Sequence, residues 1–232
     1  MSADEPAPAA SRPARGWAGQ VGSADFSFAA AVGGVRGAVE ATVPSLLFVL
    51  LLVVTDDLRT AVIGALAPAV AFTLVRLLQR QGATQAIFGL VGLGINAFAA
   101  LRSGDGADFY VPGLLVNAAY LLAFVLSVLA RYPAVGVLVG TLFGEGMTWR
   151  ADPVQMRVYL RTTGIWIALF ALRLAVQVPL YLHDQVGALG TARTVLGLPL
   201  YAVGAWLTWL MVAPVRRARQ QADEAAGPPA ED

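Results

Sequence analysis

The sequence predicts an all-α integral membrane protein: a polytopic bundle of six transmembrane helices with one short re-entrant or interfacial segment. Composition is the first observation, since 57% of the 232 residues are hydrophobic and only 13% are charged. Average soluble domains have about 45–50% apolar and about 25% charged residues. The second observation is a recurrence of apolar windows close to the ~20 residues that a helix needs to cross a bilayer. Such runs are helices because lipid offers no partners to unpaired backbone groups.

Polar segments flank the predicted membrane domain. Residues 1–35 are rich in Ala, Pro, Ser and Gly and lack a sustained apolar period, which predicts a disordered cytoplasmic tail. Residues 36–215 form the predicted transmembrane domain. Residues 216–232 begin with a basic cluster and then become polar, which predicts a second cytoplasmic tail, disordered after the basic cluster.

Each predicted span is an apolar window that ends at charged or turn-forming residues. The turn Asp56-Asp57 separates the first two windows, and a polar loop around Asp105 separates the third from the fourth. The six windows are 37–55, 58–78, 82–101, 109–130, 162–182 and 194–213.

The window 132–144 is shorter, with only 13 residues, so as a helix it would reach roughly 20 Å of a ~30 Å hydrocarbon core. Arginines near span ends favour the cytoplasm. If this window does not cross, 12 arginines lie inside and 3 outside, whereas a crossing gives 7 against 8. We therefore expect a non-crossing segment and both termini on the cytoplasmic side of a bacterial inner membrane. The inner arginines are then Arg12, Arg15, Arg36, Arg76, Arg80, Arg131, Arg150, Arg157, Arg161, Arg216, Arg217 and Arg219, and the outer ones are Arg59, Arg102 and Arg193.

Arg173 is the main candidate functional residue because it lies about halfway along a predicted span. A charge at that depth costs at least about 2.5–3.5 kcal/mol on insertion scales. Asn96 and Asn117 fall at comparable depth, and Gln177 is one helical turn from Arg173 on the same face. These four residues form a predicted intramembrane polar cluster. It is either an anion or solute contact in a central cavity, or an interhelical hydrogen-bond network with a structural role.

A candidate charge pair lies near the cytoplasmic end of the first two spans. Glu40 is one turn inside the first span, near the depth of Arg76 on the second. The pair is either a structural salt bridge or contains a proton-carrying carboxylate, and the sequence leaves both open.

A glycine motif lies between the fourth and fifth full spans, just before a polar strip that covers residues 147–161. Gly136, Gly140 and Gly144 recur at every fourth position and predict close helix packing, either within the molecule or against a second copy. Gly144 and Gly146 flank Glu145, and two glycines there are expected to break the helix and turn the chain back.

The strip then continues as a predicted interfacial helix. Asp152 is placed as its N-cap, with Pro153 at the first helical position. Trp149 and Tyr159 suit the lipid headgroup region. Arg150, with the basic residues that follow it, is expected to contact anionic lipids at the cytoplasmic face.

The run from Phe143 to Leu182, with the pattern GEG…WRADP followed by ALRLAVQVP, resembles an actinobacterial membrane-protein family catalogued as domain of unknown function 3159. The resemblance extends from about residue 31 to residue 212. It implies a membrane protein and no particular activity. A looser likeness connects the chain to intracellular septation proteins.

Several function classes are disfavoured by what the sequence lacks. It has no cysteine, and His183 is the single histidine, so thiolate sites and multi-histidine metal sites are excluded. A net charge of +1 gives no basic face for nucleic acid. Without HExxH, GxSxG or P-loop patterns, we expect a non-enzymatic protein without a cofactor. The function is either a small-solute or ion transporter or channel-like protein, or a scaffold in envelope assembly or division, with a homo-oligomer or membrane-protein partner left open.

Overall fold

A computed structural model describes residues 34–79, 84–144 and 146–226. Throughout these ranges the regular structure is helical, which confirms the predicted all-α class for this part of the chain. Two 3₁₀ helices, Ala107–Tyr110 and Thr148–Ala151, connect longer elements. The α-helices are α1 (Gly34–Thr55), α2 (Leu58–Leu78), α3 (Thr84–Ser103), α4 (Val111–Leu129), α5 (Ala134–Leu142), α6 (Pro153–Leu182), α7 (Val186–Val195) and α8 (Leu198–Ala226).

Four helical stretches of the described chain are long and apolar enough to cross a membrane. They are Leu58–Val75, Ala107–Leu129, Pro153–Leu182 and Val186–Arg219, the last of which includes α7 and most of α8. The apolar parts of α1 and α3 are shorter, Thr42–Thr55 and Ile87–Ser103. The membrane class agrees with the sequence prediction, while the count of six spans stays a prediction.

One end of the bundle is closed by aromatic rings around the 3₁₀ helix Ala107–Tyr110. The Phe48 ring of α1 stacks on Phe109 with centroids 3.8 Å apart, and both rings are fully buried. The Tyr181 hydroxyl of α6 donates a hydrogen bond to Asp108 Oδ1 at 2.7 Å. These contacts hold α1, α4 and α6 together at this end, where the predicted turn Asp56-Asp57 also lies.

Local side-chain caps determine where α2 and α6 begin. Asp57 accepts from the backbone N–H of Thr60 at 2.9 Å, and the hydrogen bond from the Thr60 hydroxyl is the main cause of the lowered pKa of Asp57. Asp152 Oδ1 accepts from the Val154 N–H at 2.7 Å, as predicted for an N-cap. This hydrogen bond holds the pKa of Asp152 below its usual range.

The opposite end contains the predicted short segment. α5 has nine residues and is therefore only about 14 Å long, too short to cross the core by itself. Trp149 is fully buried against α5, and its indole N–H donates to the Gly146 carbonyl at 3.1 Å. Tyr159, 1% exposed, packs edge-on against Trp149. The turn at Gly144 and Gly146, both with positive φ, folds the strip back onto α5, and the placement of both rings at headgroup depth stays a prediction.

The last predicted span differs from the structure at both ends. Before it, residues 186–195 form the separate helix α7, and the chain turns at Leu196-Gly197 before α8 begins. After it, α8 continues to Ala226, through the basic cluster that begins the predicted tail. The tail residues 1–33 and 227–232, like Arg80, lie outside the described residues.

Candidate functional site: an arginine-lined cavity

A cavity of about 280 Å³ lies between α1, α4, α6 and the turn that joins α7 to α8. Its wall is mixed, with polar side chains from α1, α4, α6, α7 and α8. The polar lining residues are Thr42, Ser45, Asn117, Tyr120, Arg173, Arg193, Thr194 and Tyr201. None of the described residues that line it is an aspartate or a glutamate.

Two guanidinium groups from different helices line this cavity. Arg173 of α6 lies over the Tyr201 ring, with its Cζ 4.8 Å from the centroid. Arg193 of α7 lies over the Tyr110 ring at 5.6 Å. Each cation–π contact contributes roughly 0.5–2 kcal/mol, less than the several kcal/mol that removing a charge from water costs. The aromatic rings therefore offset only part of that cost.

Hydrogen bonding around the cavity is incomplete. Asn117 Nδ2 donates to the Phe170 carbonyl at 3.1 Å and so connects α4 to α6. Three buried polar atoms near the cavity have no hydrogen-bond partner among the described residues: Asn117 Oδ1, Arg173 Nε and Tyr110 Oη. Buried polar atoms of native proteins usually have partners. Side-chain hydrogen bonding next to the cavity is thus incomplete among the described residues.

A family model described as "Protein of unknown function (DUF3159)" matches residues 32–219, a stretch that contains every cavity residue. The chain belongs to this family. No curated protein and no solved structure matches it.

The DUF3159 chain brings two members of the predicted polar cluster together. Arg173 and Asn117 both line the cavity. Asn96 and Gln177 are buried, 6% and 5% exposed, but do not line it. Gln177 Nε2 is a further buried atom that lacks a partner within the described ranges. Two of the four residues in the predicted polar cluster therefore line the cavity.

The other sequence candidates lie elsewhere. Glu40 is half-buried on α1 and is not part of the cavity wall, while the side chains of Arg76 and Glu145 lie outside the described residues. Gly136 and Gly140 are buried on α5 and pack within the molecule, whereas Gly144 lies exposed after the helix end. Arg150 stacks on Tyr132 and donates to its hydroxyl at 2.9 Å.

Arg193 is the functional candidate that sequence reasoning missed. It was assigned to an outer loop, but the structure places it in α7, half-buried and on the cavity wall. The available signal was Gly197 with Pro199, since such a pair marks a helix boundary and implies a separate helix before it. A Cβ at Gly197 would lie 2.6 Å from the Arg193 carbonyl oxygen, so glycine permits this close turn.

The arrangement favours binding of an anion. Two fixed positive charges, hydroxyl groups and an amide converge on one space, and arginine presents a planar set of N–H donors suited to oxyanions. The described residues contain no group of three or more His, Asp or Glu side chains that could hold a metal ion.

Proposed function

We propose that this protein is a non-enzymatic carrier or channel-like protein for a small anionic solute, and that the solute binds in the arginine-lined cavity. The observation that carries the proposal is the convergence of Arg173 and Arg193 on one cavity whose described lining has no carboxylate. Charged groups inside membrane segments are costly and commonly belong to solute or ion pathways. An anion in the cavity offsets the cost of both arginines.

The break between α7 and α8 supports a transport role. Transporter sites often use discontinuous helices that meet near the membrane midplane. α7 has 10 residues, hence a length of about 15 Å, half of the ~30 Å core. If α7 starts at the membrane surface, Gly197 and Leu198, which line the cavity, lie near the midplane.

We place the protein in a bacterial inner membrane with six spans and both termini in the cytoplasm. Arg150, Arg157, Arg161 and Arg217 are exposed at the end of the bundle where α6 begins and α8 leaves the membrane. The arginines exposed at the opposite end are Arg59 and Arg102. This asymmetry follows the positive-inside pattern, and anionic lipids at the arginine-rich face would be compatible with it.

Anion flux into proteoliposomes tests the proposal. Purified full-length protein is reconstituted, and uptake of chloride, sulfate and phosphate is measured against protein-free vesicles. We expect flux of at least one anion, and its loss in Arg173→Gln and in Arg193→Gln. Arg102→Gln, which changes an exposed arginine outside the cavity, is the matched control and should retain flux. Flux that equals the protein-free background for every anion would contradict a carrier function.

A scaffold in envelope assembly or division is the second candidate, and one feature of α3 favours it. A Cβ at Gly89 or at Gly92 would meet no atom within 4 Å, so this face has room for a partner helix. The scaffold function predicts that Gly89→Leu and Gly92→Leu disturb cell division or envelope integrity while Arg173→Gln does not. The carrier function predicts the reverse.

A further inference from the structure

We infer that the anion bound in the cavity is a doubly charged tetrahedral oxyanion of the phosphate class. It is either a free oxyanion or the phosphomonoester headgroup of a lipid. This inference rests on the proposed function, because it names the substrate class of the same site. It is carried by charge, by donor geometry and by the size and openness of the cavity.

The charge of the site sets the charge of the ligand. Arg173 and Arg193 both line the cavity, and no described lining residue is acidic. A single negative charge would leave one of the two guanidinium charges unbalanced. A dianion balances both, and in a medium of low dielectric constant this difference is large.

The orientation of the guanidinium groups favours oxygen ligands. Arg173 lies over Tyr201 and Arg193 lies over Tyr110, and Arg173 Nε is enclosed by the protein, so the terminal N–H groups of the two guanidiniums remain for a ligand. In-plane N–H donors pair bidentately with two oxygens of a phosphate or carboxylate. A halide offers one acceptor atom to both donors of such a fork, whereas an oxyanion places a separate oxygen in line with each donor.

The dimensions of the cavity restrict the ligand further. Its volume of about 280 Å³ equals roughly nine water molecules at ~30 Å³ each, enough for one small oxyanion with some water. Gly113 sits beside the Arg193 guanidinium, where a Cβ would be 3.4 Å from Nη1, so glycine keeps this wall clear of side chain.

The wall on α4 is partly open to the surroundings of the bundle. Val116 and Tyr120 line the cavity, yet they are 55% and 53% exposed. In a membrane, an opening at these residues faces lipid, so a lipid headgroup has a route into the site as well as a soluble ion.

Equilibrium binding to the purified full-length chain in phosphatidylcholine nanodiscs tests the inference. The probes are sulfate, inorganic phosphate and chloride, measured by isothermal titration calorimetry, and a parallel set of nanodiscs contains phosphatidic acid. We expect sulfate and phosphate to bind at least about tenfold more tightly than chloride, a difference of about 1.4 kcal/mol. Arg173→Lys and Arg193→Lys keep the charge but lose the fork, so each should lower that preference severalfold. Arg102→Lys should leave it unchanged.

The outcomes distinguish a failure of the dianion inference from a failure of the proposed anion carrier. Tight sulfate and phosphate binding in both lipid compositions identifies a free oxyanion as the ligand. Tight binding that phosphatidic acid blocks identifies a phosphomonoester lipid. Chloride binding as tight as sulfate and phosphate binding, with no phosphatidic acid effect, overturns the dianion inference but leaves the anion carrier standing. Absence of sulfate, phosphate and chloride binding in the phosphatidylcholine nanodiscs overturns both.

Discussion

Two regions of this molecule contain glycine, aromatic rings and arginine, but one of them is densely packed and the other encloses a cavity. Around α5, the space above Gly136 and Gly140 is filled, since a Cβ at Gly136 would lie 2.9 Å from Tyr159 Cδ2 and one at Gly140 the same distance from Trp149 Nε1. Around the cavity, Gly113 lies next to the Arg193 guanidinium, where a Cβ would be 3.4 Å from Nη1, and the space in front of it is open. Glycine in the first region serves dense packing, and Gly113 in the second leaves room beside a charge.

The arginines of the two regions differ in the same way. Near α5, Arg150 bonds to the Tyr132 hydroxyl, and Arg219 donates to Thr148 at 3.1 Å. At the cavity, Arg173 Nε is buried without a partner among the described residues. Arg150 and Arg219 therefore have side-chain partners within the protein, whereas Arg173 lines a cavity and retains an unpaired donor. Residue type alone does not separate the two roles, whereas the contacts do.

The largest expected effect comes from emptying the packed region. Trp149→Ala removes a fully buried indole and leaves a cavity between α5 and α6. Such substitutions cost roughly 3–5 kcal/mol. We expect a large fall in the thermal unfolding midpoint in detergent, measured by tryptophan fluorescence or by circular dichroism. An unchanged midpoint would mean that the ring is not packed as described.

The next effect is an increase in stability, and it comes from a substitution in the cavity wall. Arg173→Leu removes a half-buried charge that has no acidic partner among the described cavity-lining residues, so stability should rise. Thermal unfolding without added anions measures the change. Marked destabilisation would instead support the structural hydrogen-bond network that the sequence also allowed.

A pair of glycine substitutions sharpens the comparison. Gly140→Ala would place a Cβ against Trp149 and the Gly146 carbonyl oxygen. Overpacking of this kind lowers the free energy of unfolding by about 1–3 kcal/mol. Gly164→Ala on α6 is the matched control, because a Cβ there meets no atom within 4 Å. The control should be neutral or slightly stabilising, since alanine favours helix by about 1 kcal/mol over glycine. Equal effects of the two variants would remove the distinction between filled and open glycine sites.

The smallest effect concerns the cap of α6. Asp152→Ala should cost roughly 1 kcal/mol, and Asp152→Asn should retain most of the cap. The pKa of Asp152 is lowered from its ordinary value of 3.8 by the Val154 N–H. Its contribution is therefore complete above pH ~4 and is lost as the pH falls through the lowered pKa. A pH series of unfolding midpoints for the wild type and Asp152→Ala checks this, and the two curves should approach each other only in acid.

Local features were the most predictable from sequence. The Asp152 cap with Pro153, the turn at Asp56-Asp57 and the short length of residues 132–144 depend on neighbours in the chain, and the structure has each of them. The membrane class follows from composition in the same direct way.

Long-range features were not predictable. The burial of Trp149 depends on a backward turn at Gly144 and Gly146 that brings it onto α5. The proximity of Arg173 and Arg193 depends on the α7–α8 break, and counting residues from assumed span ends placed Arg193 in a loop. Depth along a helix predicted that Arg173 would be buried, but it could not show which of Asn96, Asn117 and Gln177 would share its cavity.

Thermal unfolding with and without sulfate tests the central claim, that the two arginines form an anion site, most directly. A ligand that binds the folded state stabilises it by about 2.7 kcal/mol at a concentration 100 times its dissociation constant. We predict that sulfate raises the unfolding midpoint of the wild type in a concentration-dependent way and leaves that of Arg173→Leu and Arg193→Leu unchanged. A rise of equal size in all three proteins, or no rise in any of them, would contradict the account.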